Sequence, residues 1–140
     1  MVYHFKVHAE DNGYWAECLE LDGCSTEGDT MEELRHNAEE ALNLYLEEPE
    51  DSTAVPPLPE PHKGAGIIEV TVDPELALSV LLRGLRAEHH YTQRDVAEKL
   101  GMKNLFSYQR LERRSNPNLK TLRKLKKVFP DLSVDYVLKD

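Results

Sequence analysis

Five prolines (Pro49, Pro56, Pro57, Pro59 and Pro61) crowd residues 48–66, and Gly64 and Gly66 close the stretch. Proline fixes φ and lacks a backbone donor, so no helix runs through prolines this dense; the segment reads as extended, semi-rigid chain. It is either a loop within a first domain or a linker between two. It divides a region that patterns as strands and one helix from a region that patterns as helix to the end. The 140 residues allow one ordinary domain or two small ones. No internal repeat is present.

Ahead of the prolines, residues 2–9 alternate, with Tyr3, Phe5, Val7 and Ala9 on one face and His4, Lys6 and His8 on the other. That period of two predicts a half-buried strand. Asp11-Asn12-Gly13 is a hairpin signal, because Asn and Gly tolerate positive φ. A second strand is predicted over residues 14–18 and a short third over 23–27. Thr30 and Glu33 have capping-box spacing, and Asp29 with Glu32 comes close. Behind them Met31, Leu34, Ala38, Ala41, Leu42 and Tyr45 form one apolar helical stripe. The β-branched residues 67–72 predict a fourth strand able to return to the same sheet. The expectation is α+β: a small antiparallel sheet with one helix over residues 1–72, then an all-helical domain over 73–140.

Asp73-Pro74-Glu75 opens that second region, with Asp as the cap and Pro at the first helical position. Thr92 caps the next helix, whose buried face is Val96, Ala97 and Leu100. Gly101 stands where a left-handed turn is needed, and Met102 plugs the turn. A further helix begins near Asn104 with Tyr108 and Leu111 turned inward. Two helices joined by a tight Gly-containing turn make a DNA-reading unit, the second inserting its N-terminal part into the major groove. This nominates Lys103, Asn104, Ser107, Gln109 and Arg110 as base readers, Gln and Asn suiting adenine, Arg and Lys suiting guanine. Gln93, Arg94, Arg113 and Arg114 are phosphate candidates. The plainer alternative is that these arginines are solvated surface or pair with Glu98 and Glu112. Phe106 either touches a thymine methyl or joins the core. Leu119, Leu122, Leu125 and Val128 predict a core stripe opposite a solvated basic face, Lys120, Arg123, Lys124, Lys126 and Lys127. Residues 132–138 predict a last short helix that packs on the domain or on a second copy. One such module makes few base contacts, so a homodimer or higher homo-oligomer on a two-fold operator is expected.

The net charge of −9 conceals a division. Residues 1–62 carry 16 acids against Lys6 and Arg35, for −14; residues 63–140 carry 15 bases against 10 acids, for +5. The basic part suits nucleic acid, and the acidic part suits a basic partner. No apolar run reaches the ~18 residues of a membrane span, and the N-terminus lacks the pattern of a secretory signal, so a cytoplasmic protein is expected. Cys18 and Cys24 are too few for a disulfide scaffold, and a cytosolic chain keeps them reduced. Their C-x5-C spacing is not a usual zinc half-site and the six histidines are scattered, so neither metal nor cofactor is expected.

Thr92-Gln93, Val96-Ala97-Glu98-Lys99-Leu100-Gly101, Arg110-Leu111-Glu112-Arg113, Asn116-Pro117-Asn118-Leu119-Lys120-Thr121-Leu122, Leu125 and Leu132-Ser133-Val134 together resemble the lambda-repressor-like (Xre-type) helix-turn-helix family. The resemblance covers about half the chain and implies operator binding. Two departures stand out. One residue more than the usual spacing lies between Gly101 and Tyr108, and Arg114 occupies the position that often holds Gly after the recognition helix.

The first half has its own resemblance. Residues 11–24 (Asp-Asn-Gly-Tyr-Trp-Ala-Glu-Cys-Leu-Glu-Leu-Asp-Gly-Cys), Thr26, Gly28-Asp29-Thr30-Met31-Glu32-Glu33-Leu34, Asn37-Ala38, Ala41-Leu42 and Tyr45-Leu46 are similar to the HicB antitoxin family. That resemblance implies a partial RNase H-like fold without activity, a small basic HicA-like mRNA interferase toxin as partner, and repression of the chain's own operon. Tyr14, Trp15, Glu17, Glu20 and Asp22 are the candidate toxin contacts. Trp15 lies on the strand face opposite Tyr14, Ala16 and Cys18, so it either packs on the helix or faces a partner. An RNase H reaction gathers several carboxylates around two metal ions, whereas Asp11, Asp22 and Asp29 sit at turns, where Asp serves the backbone. No enzyme is expected. The alternative reading is a stand-alone transcription factor whose first half senses a small ligand.

Overall fold

A computed structural model describes residues 1–47 and 54–140. Among them are four strands, β1 (Val2–Glu10), β2 (Gly13–Cys18), β3 (Ser25–Gly28) and β4 (Ile67–Thr71). Six helices accompany them: α1 (Met31–Leu46), α2 (Pro74–Glu88), α3 (Gln93–Lys99), α4 (Leu105–Leu111), α5 (Leu119–Val128) and α6 (Val134–Leu138). A sheet with one helix precedes an all-helical half, as the pattern predicts for an α+β chain.

The strands are antiparallel in the order β3-β2-β1-β4. Gly13 makes the first turn possible: its φ is +152°, and a Cβ there would lie 2.7 Å from the Gly28 carbonyl oxygen. β4 returns beside β1, with Val2 opposite Thr71. The proline stretch therefore connects α1 to a strand of the same sheet; Pro49 and its neighbours in 48–53 lie outside the described residues. Alternation buries Tyr3, Phe5, Ala16 and Cys18 with Leu34, Ala38, Leu42 and Leu46 of α1. His8 and Trp15 fall on the opposite face.

Thr30 Oγ1 accepts from Glu33 N (3.1 Å), and Glu33 reaches back to Asp29 N (3.3 Å), one residue short of the expected reciprocal partner. The apolar stripe of α1 also ends differently. Leu46 is fully buried, whereas Tyr45 turns outward and donates its hydroxyl to the Asp22 carbonyl (2.7 Å). The core row is Leu34-Ala38-Leu42-Leu46, a run of four-residue steps that leaves Tyr45 at its margin.

α2 joins the halves. Its residues 76–83 are all buried, and it packs on α1 and α6. Each buried leucine there contributes roughly 1.5–3 kcal/mol. Arg83, 3% exposed, donates to the Leu46 carbonyl (3.3 Å) and the Ala54 carbonyl (3.1 Å), setting a cation at the C-terminal end of α1. Tyr3 and Tyr136 donate their hydroxyls to the carbonyls of Pro57 (2.7 Å) and Pro59 (3.1 Å). One cluster of buried side chains runs from Met1 to Val137.

The predicted α5 stripe is only partly internal. Leu125 is buried, Leu122 and Val128 are half-buried, and Leu119 is 83% exposed. As the first residue of α5, Leu119 lies at the mouth of an apolar groove lined also by Pro74, Leu78, Leu122, Val134 and Leu138. Among the described residues no helix is long and apolar enough to cross a membrane.

Candidate nucleic-acid interface and the acidic sheet face

Local sequence sets the geometry of α3 and α4. Thr92 and Asp95 form a reciprocal capping box at the start of α3, with bonds of 2.8 and 3.0 Å. Thr92 N–H donates to the Asp95 carboxylate and Asp95 N–H to the Thr92 hydroxyl oxygen; the Thr92 backbone first, and then its side chain, hold the Asp95 carboxyl below its ordinary pKa. Gly101 adopts φ +72°, and Met102 N bonds the Ala97 carbonyl (2.9 Å), which stops α3 and turns the chain. Asn104 then caps α4: its Oδ1 accepts from the N–H and hydroxyl of Ser107, both at 2.9 Å. Tyr108 on α4 is fully buried, as are Val96 and Leu100 beneath it. Leu111 is half-buried.

A polar network under this pair fixes the angle between the helices. Glu112, 4% exposed, accepts from Arg86 of α2 twice, at 2.7 and 3.0 Å. Gln93 Nε2 donates to the same carboxylate (3.1 Å), and Gln109 Nε2 donates to Gln93 Oε1 (3.1 Å). Burial works against the charge of Arg86, but Glu112 outweighs it and holds the guanidinium above its ordinary pKa. Burial, then the Glu112 charge, push the Tyr108 hydroxyl far up, so it stays protonated. The alternative that Glu112 pairs with a nominated arginine gives way to Arg86, a residue the sequence pattern did not single out.

The nominated base readers divide along α4: Lys103, Asn104 and Ser107 lie at its N-terminal end, whereas Gln109 and Arg110 fall in its last turn, away from the N-terminal part the sequence pattern favoured. Lys103, Asn104 and Arg110 are exposed; Ser107 and Gln109 are half-buried. Asn104 and Ser107 spend one another's hydrogen-bonding capacity on the cap, whereas Arg110 extends over Phe106, its guanidinium 5.4 Å from the ring centroid. Phe106 is 52% exposed and so belongs to the surface, not the core. The phosphate candidates divide. Arg94 is exposed on α3 and Arg113 is half-buried. Gln93 is held inside the network. Arg114 turns back to the start of α2, pairing with Asp73 (3.2 Å) and Glu75 (3.7 Å), and reaches Glu47 at the end of α1 (3.6 Å).

The sheet offers a surface of opposite sign. Trp15 stacks on His8 with ring centroids 4.2 Å apart and an interplanar angle of 17°, so it faces away from α1. Glu17 lies beside them, its carboxylate 3.8 Å from His8 Nε2. Asp22 is exposed, and Tyr14 is partly covered against the core. Glu20 is placed differently: its carboxylate is buried and accepts from His4 N (3.0 Å) and pairs with His4 Nδ1 (2.7 Å). His8 was not nominated from sequence, although its place opposite Trp15 follows from the hairpin register. Among the described residues no group of three or more His, Cys, Asp or Glu side chains is placed to hold a metal ion.

Residues 82–137 match a family model described as helix-turn-helix. The segment from late α2 through α6 is therefore a helix-turn-helix region, the class of unit used by DNA-binding regulators. The chain is also similar to two proteins of Synechocystis sp. (strain ATCC 27184 / PCC 6803 / Kazusa). One is UPF0150 protein ssr1765, 45% identical over 49 residues that cover 33% of this chain and 62% of the relative. The other is UPF0150 protein ssl0738, 42% identical over 40 residues covering 29% and 56%. The chain thus spans about three-fifths of the length of these curated relatives.

Proposed function

We propose that this chain is an antitoxin and autorepressor of a type II toxin-antitoxin system. Its first half, residues 1–72, is a partial RNase H-like binding domain without catalysis that neutralises a small basic HicA-like mRNA interferase. Its second half, residues 73–140, binds operator double-stranded DNA in the cytoplasm. The observation that carries this reading is the division of charge, −14 against +5, across two halves of which the basic one holds the helix-turn-helix. Opposite fields speed encounter and select partners: the acidic sheet half attracts a basic ribonuclease and repels nucleic acid.

Trp15, Glu17 and Asp22 make the toxin contact, with Tyr14 and Glu20 shaping the surface behind them. Arg110 and Gln109, with Lys103, Asn104 and Ser107, read base edges. Arg94 and Arg113 meet phosphates; Gln93 reaches one only through its remaining amide hydrogen, and Arg114 contributes least because three carboxylates already match its charge.

Two copies pair through the groove between α2, α5 and α6. Leu119 of each copy enters the other's groove, an isologous contact that closes on itself. Lys120 and Arg123 on α5 and Glu75 and Asp135 on α2 and α6 give that face both signs of charge, which a two-fold axis can set opposite one another. None of the lining residues belongs to α3 or α4, so pairing leaves the DNA face free.

Co-expression with the product of the adjacent gene is the direct test. Recovery of a complex with a small basic ribonuclease, and loss of its toxicity, is the expected result. A gel shift on the chain's own promoter with no toxin partner would favour a stand-alone transcription factor with a ligand-sensing first half. A Leu119→Glu variant that still sediments as the parent oligomer would remove the groove from the dimer.

A further inference from the structure

Cys18 ends β2 and Cys24 immediately precedes β3. The ladder that sets Glu17 opposite Ser25 continues one step, and Cys18 N–H donates to the Cys24 carbonyl at 2.8 Å. The two cysteines therefore stand opposite each other. Directly opposed residues of an antiparallel pair hold their Cα atoms about 4.5–5.5 Å apart, inside the ~4.4–6.8 Å span of a disulfide. Both thiols are free and buried. The neighbouring Cys24 thiol, with burial adding to the effect, holds Cys18 well above an ordinary thiol. Cys18 Sγ also lies 3.6 Å from the Glu20 carboxylate. The intervening loop carries Leu19, Asp22 and Gly23 at the surface, and Gly23, next to Cys24, faces open space.

We propose that Cys18 and Cys24 form a peroxide-reactive dithiol that closes to an intramolecular disulfide. Nothing in the DNA- or toxin-binding readings requires two thiols in this register. The division of labour follows from the Glu20 contact: Cys18 donates its proton to that carboxylate (3.6 Å) and keeps it until the second step, so Cys24 supplies the thiolate and Cys18 resolves. The Cys24 sulfur attacks one oxygen of hydrogen peroxide, the O–O bond breaks, and the departing hydroxide takes a proton to become water, leaving Cys24 as a sulfenic acid. The Cys18 sulfur then attacks the Cys24 sulfur. The S–O bond breaks, and the Cys18 proton, with Glu20 as the nearest acceptor to relay it, leaves with the hydroxyl as a second water. The thiols lose two electrons and the peroxide gains them. A cytosolic disulfide of this kind is transient, formed under oxidant and reversed by cellular thiols. While present it staples the end of β2 to the start of β3 and fixes residues 19–23.

The test uses the full-length protein under native conditions. It is treated with one equivalent of hydrogen peroxide, blocked with N-ethylmaleimide and mapped by mass spectrometry. Trypsin leaves both cysteines in the peptide spanning residues 7–35. The expected product is that peptide about 2 Da lighter, from the loss of two hydrogens, unalkylated, and restored to two alkylated thiols by dithiothreitol. In the Cys18→Ser variant, dimedone should trap a sulfenic acid on Cys24; in Cys24→Ser, Cys18 should remain an alkylatable thiol. The wild-type measurement does not depend on either variant folding. Two alkylated thiols after peroxide, disulfide formation only in urea, or a product linked between chains would each overturn the proposal.

Discussion

Among the described residues Glu20 of the first half and Glu112 of the second are buried carboxylates, and the two are held by different means. Glu112 is gripped by a guanidinium and an amide arriving from two other helices: Arg86 comes from α2 and Gln93 from α3, while Glu112 itself caps the end of α4. Glu20 is held within the sheet, by the backbone N–H and imidazole of His4 on the neighbouring strand. Arginine keeps its charge at any ordinary pH and offers a rigid fork of donors; imidazole carries charge only when protonated. The helical half therefore relies on a charged junction to orient α4. The sheet half already has its ladder and needs its buried pair only to finish one edge. Short helices with few mutual contacts need a polar pin, and paired strands do not.

The largest expected effect breaks that junction. Glu112→Ala takes the carboxylate from Arg86 and leaves it the neutral Tyr91 carbonyl (3.3 Å) as acceptor, and removing one member of a buried pair costs about 3–5 kcal/mol. Urea unfolding of the full chain measures it, and a loss below ~1 kcal/mol would show that the junction is not what orients the helices. Next is the surface the junction supports. Arg110→Ala with Gln109→Ala should weaken operator binding by about 1–3 kcal/mol for each base contact removed; a gel shift left unchanged would reassign the reading helix. His4→Ala comes third. It leaves Glu20 with its backbone donor, so a destabilisation of about 1–3 kcal/mol is expected, with operator affinity intact because the sheet's carboxylate plays no part in orienting α4. A parallel loss of DNA binding would erase the contrast between the halves. The smallest effect belongs to Arg114→Ala. Its three carboxylate partners are solvent-exposed, and such pairs contribute below about 1 kcal/mol. That difference should vanish in high salt.

Much of this was legible because it is local. Thr92, Gly101 and Asn104 each act within four residues, and the structure finds the capping box, the left-handed turn and the second cap at those positions. The alternation of β1 and the Asp-Asn-Gly turn likewise led to the observed hairpin. What escaped involves distance or margin. Arg86 and Glu112 are 26 residues apart, and nothing in either neighbourhood announces the other. Tyr45 and Leu46 both satisfy a helical stripe, and only packing against α2 and the sheet selects Leu46. Glu20, nominated for a partner, is drawn inward because His4 lies across the ladder from its loop. Leu119 has the spacing of a core residue but begins its helix where no other element covers it.

The sequence by itself determined the order of elements, the faces of the strands, the caps that start and stop α3 and α4, and the opposite signs of the two halves. These depend on φ preferences, short-range hydrogen bonds and summed charge, none of which requires knowing what touches what. The tertiary structure decided which charges are spent internally and which remain for a partner. Arg86 was taken by Glu112, Arg114 by the acids that flank α1 and α2, and Glu20 by His4, while Arg110 and Arg94 were left exposed and the Trp15 face half-buried. Burial and partner distance settle that choice, and they exist only once distant segments have been packed together.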